Sequence, residues 1–432
     1  MISTREILLE MLMDILERGK YSHLTIKAVL DKYAYLSRSD RAFIRRVCTG
    51  CVERCIQLDY LLNQLSTTRT EKMKPVIRTI LRMGAYQILF MDKVPDRAAC
   101  NEAVKLAEKK GFGRLKGFVN GVLRNLSRQK ETLAYPDRKE SPAFYLSVMY
   151  SMPDWIVDMW LAQYGEAKTE QILKGLLEER PLTLRMDEGL SLTEREQLLC
   201  EVRAAGIDIE PCVELDYAYR VGHTDAPDTI PGFADGRWMI QDLGSMLITQ
   251  FAGIREKDTV IDVCGAPGGK AIHAAAKTGR EGHVFVRDMT PYKLSLIEEN
   301  LARTTYRNIT PQRMDATVFD EASVETADVL LADLPCSGLG VIGRKPDIKY
   351  RIRPEELEEV AALQRKILQT VHPYVKKGGT LLYSTCTLDK KENEENVSFI
   401  LQKLPFSLDG TRELLPGIDG TDGFFMARFK RI

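Results

Sequence analysis

TVIDVCGAPGGK, residues 259–270, joins an apolar run to a glycine-rich turn. The apolar run predicts a buried strand, and the glycines let a ligand approach the backbone closely before a helix begins. A nucleotide P-loop needs a glycine at 264 and a hydroxyl at 271, but the chain has Cys264 and Ala271. The pattern therefore excludes that phosphate cradle and favours a different ligand beside the turn.

From about residue 236 onward, strands alternate with helices. The apolar runs are TVIDV, HVFVRD, ITPQRMD, ADVLLADLP and GTLLYSTC, and helical segments separate most of them. This alternation predicts an α/β, Rossmann-like domain whose mainly parallel sheet is covered on both faces. Ligands of such sheets bind in the crevice beyond the carboxyl ends of the strands.

Acidic residues end consecutive strands of this domain. Asp288 ends the second run, about twenty residues beyond the glycine turn, where an acid can accept hydrogen bonds from ribose hydroxyls. Asp315 ends the third run and Asp333 ends the fourth. One such acid alone is more often a solvated loop residue, but acids at the ends of consecutive strands favour a binding site. An adenosine-like cofactor fits this pattern.

Two cysteines follow the last two predicted strands, Cys336 in ADLPCSG and Cys386 in YSTCTL. A free cysteine usually packs as a small apolar side chain. If the two strands are neighbours, however, both thiols open into one crevice. A thiolate there can add to C6 of a pyrimidine and make C5 nucleophilic toward a sulfonium methyl group, and a second group is then needed for release. A disulfide redox pair is the competing interpretation, although a separation of 50 residues is unlike the CxxC redox motif.

The first third of the chain is basic, although the formal net charge of the whole is zero. Residues 1–140 hold 27 Lys and Arg against 16 Asp and Glu, and the remainder holds 34 against 45. The two parts therefore carry +11 and −11. A basic module joined to an acidic one suggests that one part binds a polyanion, while a solvated helical surface is the plainer explanation.

Helical patterns fill this basic part. The run FIRRVCTGCVERCIQLDYLLNQL predicts one helix, in which the cysteines at 48, 51 and 55 share an apolar face. This predicts packing, because a metal site would need a fourth ligand at a sensible spacing. In GRLKGFVNGVLRNLSR, Arg114, Arg124 and Arg128 fall within about 80° of arc, opposite much of the apolar set. We expect no metal, and we expect that the arginine face contacts phosphates.

The order of motifs in this part resembles the all-helical RNA-binding domain of the NusB type. The similarity rests on PVIRTILRMGAYQILFMDKVPDRAACNEAVKLAEKKG followed by GFVNGVLRNL, and it covers most of residues 1–130. The resemblance implies that RNA is the partner.

A polar segment, ETLAYPDRKES at residues 131–141, breaks the helical periodicity and predicts a domain boundary. The next part predicts a helix in YSMPDWIVDMWLAQYG, with Ser151 as N-cap, and a strand in RPLTLRMD. We expect a multi-domain chain: an all-α domain at 1–138, a small α+β unit at 139–235 and the α/β domain at 236–432.

The second half resembles the RNA cytosine-5 methyltransferases in DVCGAPGGK, LADLPCSGLGVIGRKPDIKYR, YSTCTL and the terminal TDGFFMARF. With the NusB-like front, the chain resembles the small-subunit rRNA methyltransferase B (Sun/Fmu) family. This implies S-adenosylmethionine as cofactor, 16S rRNA, free or partly assembled, as partner, and the type of activity that methylates cytosine 967 at C5. The resemblance also implies Cys386 as nucleophile, Cys336 in product release and Asp333 in orienting the base. The cofactor would be bound by Cys264, Gly265, Ala266, Pro267, Gly268, Gly269, Lys270, Asp288, Asp315 and Asp333.

The chain departs from the family pattern at Gly265 and Leu334, where alanine is usual, and at Asp187, where asparagine is usual. None of these changes removes a reacting group. Beside Cys336, the segment GRKPDIKYR has a composition suited to holding a strand whose base is turned out. Its candidate RNA contacts are Arg344, Lys345, Lys349, Tyr350 and Arg351.

Length and composition agree with an intracellular enzyme. The chain has 432 residues, enough for two or three domains, and its acid-bearing start is unlike a secretory signal. No apolar run is long enough to span a membrane, and nine thinly spread cysteines favour reduced thiols in the cytoplasm. We expect no obligate protein partner. The alternatives are methylation of another RNA site, or an RNA-binding assembly or antitermination factor with an inactive methyltransferase half.

Overall fold

The computed structural model describes residues 3–179, 181–222 and 227–432, and it divides the chain into two compact units. The first unit comprises the residues up to Leu177 together with the segment Ile342–Ile352. The second comprises Glu178–Val341 and Arg353–Ile432. The chain therefore leaves the second unit once, just after Cys336, and returns to it eleven residues later.

The first unit is helical. Its helices up to Leu177 are α1 (Thr4–Leu12), continued by a π-helical turn (Met13–Glu17), α2 (Ser22–Lys32), α3 (Arg38–Glu53), α4 (Cys55–Leu65), α5 (Pro75–Phe90), α6 (Asp96–Lys109), α7 (Lys116–Gln129), α8 (Pro142–Tyr150), α9 (Asp154–Tyr164) and α10 (Glu166–Leu177). Ser3 and Glu6 form a capping box that begins α1, as their spacing predicts. Cys48, Cys51 and Cys55 are buried in the core, also as predicted.

Two local predictions for this unit were wrong. The cysteine-bearing run forms two helices rather than one, because Arg54 leaves the helical backbone conformation between α3 and α4. Ser151 does not begin α9, since Pro153 is its N-cap. Ser151 instead has a left-handed backbone at the end of α8, and its hydroxyl accepts hydrogen bonds from the amides of Ile56 and Gln57 in the first turn of α4. Hydrogen bonds from a hydroxyl to these amides satisfy donors that the start of a helix leaves open.

The remaining elements, in chain order, are β1 (Leu182–Met186), α11 (Leu192–Ala204), β2 (Ile209–Pro211), β3 (Ala218–Val221), β4 (Trp238–Ile240), α12 (Leu243–Phe251), β5 (Thr259–Asp262), α13 (Gly269–Thr278), β6 (His283–Asp288), α14 (Pro291–Ala302), β7 (Ile309–Arg313), β8 (Ala327–Asp333), α15 (Ile348–Arg351), α16 (Glu356–Val371), β9 (Val375–Thr385), α17 (Glu394–Lys403), β10 (Phe406–Leu414) and β11 (Phe424–Arg431). Of these, α15 lies in the first unit. The others form the second unit.

Two sheets organise the second unit. The smaller is antiparallel, with strand order β2-β3-β1-β4. The larger has the order β10-β11-β9-β8-β5-β6-β7, in which β9, β8, β5, β6 and β7 are parallel and β11 pairs antiparallel with both β9 and β10. The predicted fold class is confirmed, and all five predicted strands of the α/β domain are present. The predicted middle part is divided, with α8–α10 in the first unit and the smaller sheet in the second.

The large sheet is covered by apolar side chains on both faces, and these form two separate core clusters. Along β5, for example, Val260 belongs to one cluster and Ile261 to the other, as alternate residues of a strand should. The polar residues of the parallel strands therefore collect at the strand ends. Among the residues that the structure describes, no helix is long and apolar enough to cross a membrane.

Candidate active site

The carboxyl ends of neighbouring parallel strands bring the predicted site residues together. β8 pairs with β5 on one side and with β9 on the other, and β5 pairs with β6. Asp262, Asp333 and Asp288 are the last residues of β5, β8 and β6. Asp315 follows β7, the edge strand. The acids therefore lie in a row at the carboxyl ends of the parallel strands, as the sequence predicts.

The glycine turn between β5 and α13 is closely packed against the carboxyl ends of β5 and β6. A Cβ at Gly265 would lie 2.4 Å from Val286 Cγ2 and 2.8 Å from Asp262 Oδ2, so no larger side chain fits there without movement. The alanine that the family resemblance leads one to expect at this position would therefore need a local shift. Gly268 has a φ of +103°, a conformation that side chains rarely adopt. Close packing thus accounts for the glycine at 265, and backbone conformation accounts for the glycine at 268.

Asp288 supports the turn from the end of β6. Its Oδ2 accepts a hydrogen bond from the Ala266 amide at 3.2 Å, and its Oδ1 accepts one from the Met289 amide at 2.8 Å. Lys293 lies 3.2 Å from Oδ1. Asp315 is less enclosed, and hydrogen bonds from the amide and then the hydroxyl of Thr317 lower its pKa. Both predicted acids therefore lie at the strand ends.

Asp262 is a site residue that the sequence did not single out. Its side chain is fully buried, and its Oδ2 has no hydrogen-bond partner among the described residues. Burial raises the pKa of Asp262 to about 7. An unpartnered buried carboxyl oxygen beside the glycine turn fits a ligand that brings a donor into the crevice. The sequence feature that could have identified Asp262 is its position at the end of an apolar strand, just before the glycine turn.

Lys270 and Asp333 form an ion pair behind the thiols. The ammonium lies 2.6 Å from Asp333 Oδ2, and the Ser384 hydroxyl donates to Asp333 Oδ1 at 2.9 Å. Burial lowers the pKa of Lys270, but the Asp333 carboxylate more than offsets this, so the pKa is raised and the lysine stays charged. Both oxygens of Asp333 are thus held in place.

The two predicted thiols meet at the ends of β8 and β9. These strands are parallel neighbours, with Asp333 opposite Ser384, and the Sγ atoms of Cys336 and Cys386 are 3.1 Å apart. The Cys386 amide also donates to Cys336 Sγ at 3.3 Å. The hydrogen bond with Cys386, followed by burial, raises the pKa of Cys336 well above its usual value. Cys336 is therefore held as a neutral thiol.

The end of the chain helps to fix this arrangement. The Gly340 amide donates to the Cys386 carbonyl at 3.0 Å, and the Gly423 amide donates to the Gly340 carbonyl at 2.8 Å. A Cβ at Gly423 would lie 2.7 Å from Gly340 Cα. The glycine of the terminal motif TDGFFMARF is thus explained by close backbone contact near Cys386.

A third thiol of the site, Cys264, is not suited to nucleophilic attack. Burial, followed by the charges of Asp262, Asp288 and Asp333, raises the pKa of Cys264. A neutral thiol is a poor nucleophile, so its contribution is packing beside the turn.

The predicted RNA contacts fall into two groups. Arg114, Arg124 and Arg128 are exposed on the first unit, as the sequence predicts for a phosphate-binding face. Arg344 and Lys345 are exposed as well. Phosphate contacts at these residues stay predictions.

The structure accounts for the rest of the basic segment differently. Lys349 is 2% exposed, and its ammonium donates to the Glu53 carbonyl at 2.7 Å. The Tyr350 hydroxyl donates to the Val52 carbonyl at 2.9 Å, and Arg351 donates to the Gly19 carbonyl at 2.6 Å. Lys349 is therefore buried and Tyr350 partly buried within the helical unit, and their donors are used inside it instead of on RNA. Composition alone does not tell whether a basic segment faces solvent or a neighbouring helix.

Asp187, the departure from the family asparagine, is also accounted for within the protein. Its Oδ1 accepts hydrogen bonds from the Tyr306 hydroxyl and from the Gly189 amide. The acid therefore ties the smaller sheet to the loop before β7.

Comparison with known proteins extends over the whole chain. The model of the NusB family matches residues 2–128, a ferredoxin-like domain of RsmF/B-like methyltransferases matches residues 152–224, and the model described as 16S rRNA methyltransferase RsmB/F matches residues 250–430. Among solved structures, that of PH0851 has a TM-score of 0.82 at 22% identity, covering 100% of this chain and 99% of that one. NSun6 from Pyrococcus horikoshii with SFG has a TM-score of 0.57 at 22% identity, covering 63% and 97%. These structures support the fold.

Curated relatives carry one name. A probable ribosomal RNA small subunit methyltransferase B from Bacillus subtilis is 36% identical over 99% of both chains. Its counterpart from Synechocystis is 33% identical over 100% of both, and the enzyme from Serratia proteamaculans is 32% identical over 96% of this chain and 95% of its own. The chain therefore belongs to the ribosomal RNA small subunit methyltransferase B family, whose members are S-adenosylmethionine-dependent rRNA methyltransferases.

Proposed function

We propose that this protein methylates C5 of a cytosine in 16S rRNA, the family's cytosine 967, through a covalent bond between Cys386 and C6. The observation that carries the proposal is the pair of thiols, whose sulfur atoms are 3.1 Å apart at the ends of neighbouring strands. A methyltransferase acting on a nitrogen or a hydroxyl has no need of two adjacent thiols. The substrate is rRNA in the cytoplasm, free or in a partly assembled small subunit.

The crevice suits the cofactor. The glycine turn offers close backbone approach, and Asp288 and Asp315 are the acids that would accept hydrogen bonds from the nucleoside part. Asp262 offers a buried oxygen that lacks a partner among the described residues. When bound, S-adenosylmethionine supplies an electrophilic methyl group on a positively charged sulfur.

Side chains of the protein activate and orient the base. The Cys386 thiol gives its proton to solvent, the thiolate adds to C6, and the electron pair of the C5–C6 double bond moves to C5, which can then take the methyl group. Asp333, held by Lys270 and Ser384, is the acceptor that would orient the amino group of the base.

Release then restores the aromatic ring. The C5 proton leaves to solvent, its electron pair re-forms the double bond, and the S–C6 bond breaks with its pair on Cys386. The neutral Cys336 thiol protonates this departing sulfur and regains a proton from solvent. One methyl group enters and one proton leaves.

Labelled methyl transfer tests the proposal. Purified protein, labelled S-adenosylmethionine and small-subunit rRNA should give labelled RNA, and bisulfite sequencing should show a single protected cytosine. Cys386→Ala should give neither signal. Label incorporated without a bisulfite-protected cytosine would contradict the proposal, because the methyl group would then lie on another atom.

A further inference from the structure

A buried polar network lies beneath both cysteine loops. Its members are all less than a tenth exposed, and they come from the loop after β8, from α16, from the end of β9 and from the loop and helix after it. They are Ser337, Gln364, Tyr383, Thr385, Thr387, Glu392, Asn393 and Asn396. Glu392, a fully buried carboxyl, lies at the centre of the network. Burying such a group is costly unless it is hydrogen-bonded, so its position needs an explanation.

Glu392 and Gln364 together hold both sides of Cys336. The Ser337 amide donates to the two carboxyl oxygens of Glu392 at 3.1 and 3.3 Å, and Gln364 Nε2 donates to Oε2 at 2.7 Å. The same Gln364 nitrogen donates to the Pro335 carbonyl at 2.9 Å. The residues directly before and after Cys336 are thus fixed by one acid and one amide.

The same segment holds both sides of Cys386. Asn393 Oδ1 accepts a hydrogen bond from the Thr385 hydroxyl at 2.6 Å, and Asn393 Nδ2 donates to the Thr387 carbonyl at 3.0 Å. The hydroxyls of Ser337 and Thr387 are 2.6 Å apart, which joins the two cysteine loops directly. The relative position of the two sulfur atoms therefore depends on residues 392 and 393.

We propose that Glu392 is a positioning residue that holds the Cys336 loop against the end of β9 and so sets the rate at which the covalent adduct is resolved. The inference rests on the proposed function, since it concerns the step in which the S–C6 bond breaks. Only an acceptor fits at this position, because the carboxyl oxygens face the Ser337 N–H and the Gln364 NH₂. A glutamine would turn an NH₂ toward one of these donors.

The charge of Glu392 has a second effect. Burial raises the pKa of Glu392 itself to about 7, and in its ionised form Glu392 contributes, after the hydrogen bond to Cys386 and burial, to the raised pKa of Cys336. Glu392 therefore helps to keep Cys336 a neutral thiol, which can give a proton to the departing Cys386 sulfur and cannot compete with it for C6.

Glu392→Gln is the decisive variant, and Glu395→Gln, an exposed acid in the next helical turn, is its control. In single-turnover reactions with labelled cofactor we expect Glu392→Gln to keep methyl transfer and to resolve the adduct about 10- to 100-fold more slowly, the scale of a misplaced catalytic group. An RNA-linked band should accumulate on a denaturing gel. Glu395→Gln should match the parent. Equal slowing of transfer and resolution, or an absent band, would contradict the inference.

A second variant and a reference variant distinguish failure of this inference from failure of the proposed function. Thr387→Val removes the hydroxyl contact between the two cysteine loops and should give the same band more weakly, so it decides the question if thermal unfolding shows that Glu392→Gln is not folded. Cys336→Ala is the reference for a trapped adduct. If Cys336→Ala gives no band, the proposed function fails. If Cys336→Ala gives the band and both network variants do not, the inference alone fails.

Discussion

Cys336 and Cys386 are chemically identical side chains in different surroundings. Cys336 Sγ accepts a hydrogen bond from the Cys386 amide, and its neighbours Pro335 and Ser337 are held by the network, whereas Cys386 follows β9 and its charge acts on Lys270. The sequence predicts that both thiols share a crevice, because both follow apolar strands. Which thiol adds to the base is implied by family resemblance and stays a prediction, and the raised pKa of Cys336 fits a role as proton donor.

If Cys386 adds to C6 and Cys336 assists release, the two single variants should differ in the RNA-linked band on a denaturing gel. Cys386→Ala should abolish methyl transfer and form no adduct, because without addition at C6 the C5 carbon does not become nucleophilic. Cys336→Ala should accumulate a nuclease-sensitive RNA-linked band, and the double variant should not. A band formed by Cys386→Ala instead would reverse the two roles.

Asp262 gives a prediction for stability. Its pKa is about 7 in the folded protein against the usual 3.8, so between these values the unfolded chain has released a proton that the folded chain retains. The free energy of unfolding should therefore fall as the pH rises through this window. Asparagine does not ionise, so Asp262→Asn removes this pH-dependent fall in the free energy of unfolding. In urea denaturation, the variant should gain stability relative to the parent between about pH 5 and about pH 7.5. A constant difference between the two proteins would contradict the assignment.

At the scale of elements, prediction succeeded where one periodicity dominated. The five parallel strands were recognisable as apolar runs, because strands covered on both faces are apolar throughout. β10 and β11 were not predicted: FSLDGTREL has polar residues at most positions, and only its pairing with the chain end makes it a strand. Glu392 was missed because KKENEEN has the composition of a solvated loop. Burial of such a segment depends on tertiary contacts, which a single sequence does not contain.

The segment Ile342–Ile352 is the element whose prediction changed most. Its basic residues suggested an RNA contact, but Lys349, Tyr350 and Arg351 donate to backbone carbonyls of the helical unit. Burial lowers the pKa of Lys349 to about 7, a cost that its hydrogen bond partly offsets. The side-chain donors of Lys349, Tyr350 and Arg351 thus hold the segment in the helical unit. These donors are therefore already used within the protein and do not face phosphates.

Tyr350→Phe and Lys345→Gln should separate these two roles. Tyr350→Phe leaves the Val52 carbonyl without its donor and should lower the free energy of unfolding by about 0.5–1.5 kcal/mol, with no change in the salt dependence of RNA binding. Lys345 is exposed, and its loss should leave stability unchanged and weaken RNA binding. A lower salt slope for Tyr350→Phe would show that the segment contacts RNA after all.

At the scale of the whole molecule, the charge asymmetry predicts which surface binds RNA. The basic first third forms most of the helical unit, and its arginines at 114, 124 and 128 are exposed around the start and along the length of α7. Removal of residues 1–138 would not isolate this surface, because Lys349 and Tyr350 would lose the carbonyls that they bind. Substitution of exposed side chains is therefore the better test.

Replacing Arg114, Arg124 and Arg128 together by glutamine should weaken RNA binding and lower its dependence on salt. Each lost phosphate contact reduces the slope of log K against log salt by about 0.7 to 0.9, so the triple variant should lose about two units if all three bind phosphates. Binding of S-adenosylmethionine, measured by calorimetry, should not change. The control replaces the exposed Lys139 and Lys174 and the partly exposed Lys168 by glutamine, which alters the net charge equally on helical-unit residues outside the NusB-like region. If both triple variants lower the slope by the same amount, net charge rather than this arginine face governs RNA binding, and the phosphate contacts assigned to α7 would be wrong.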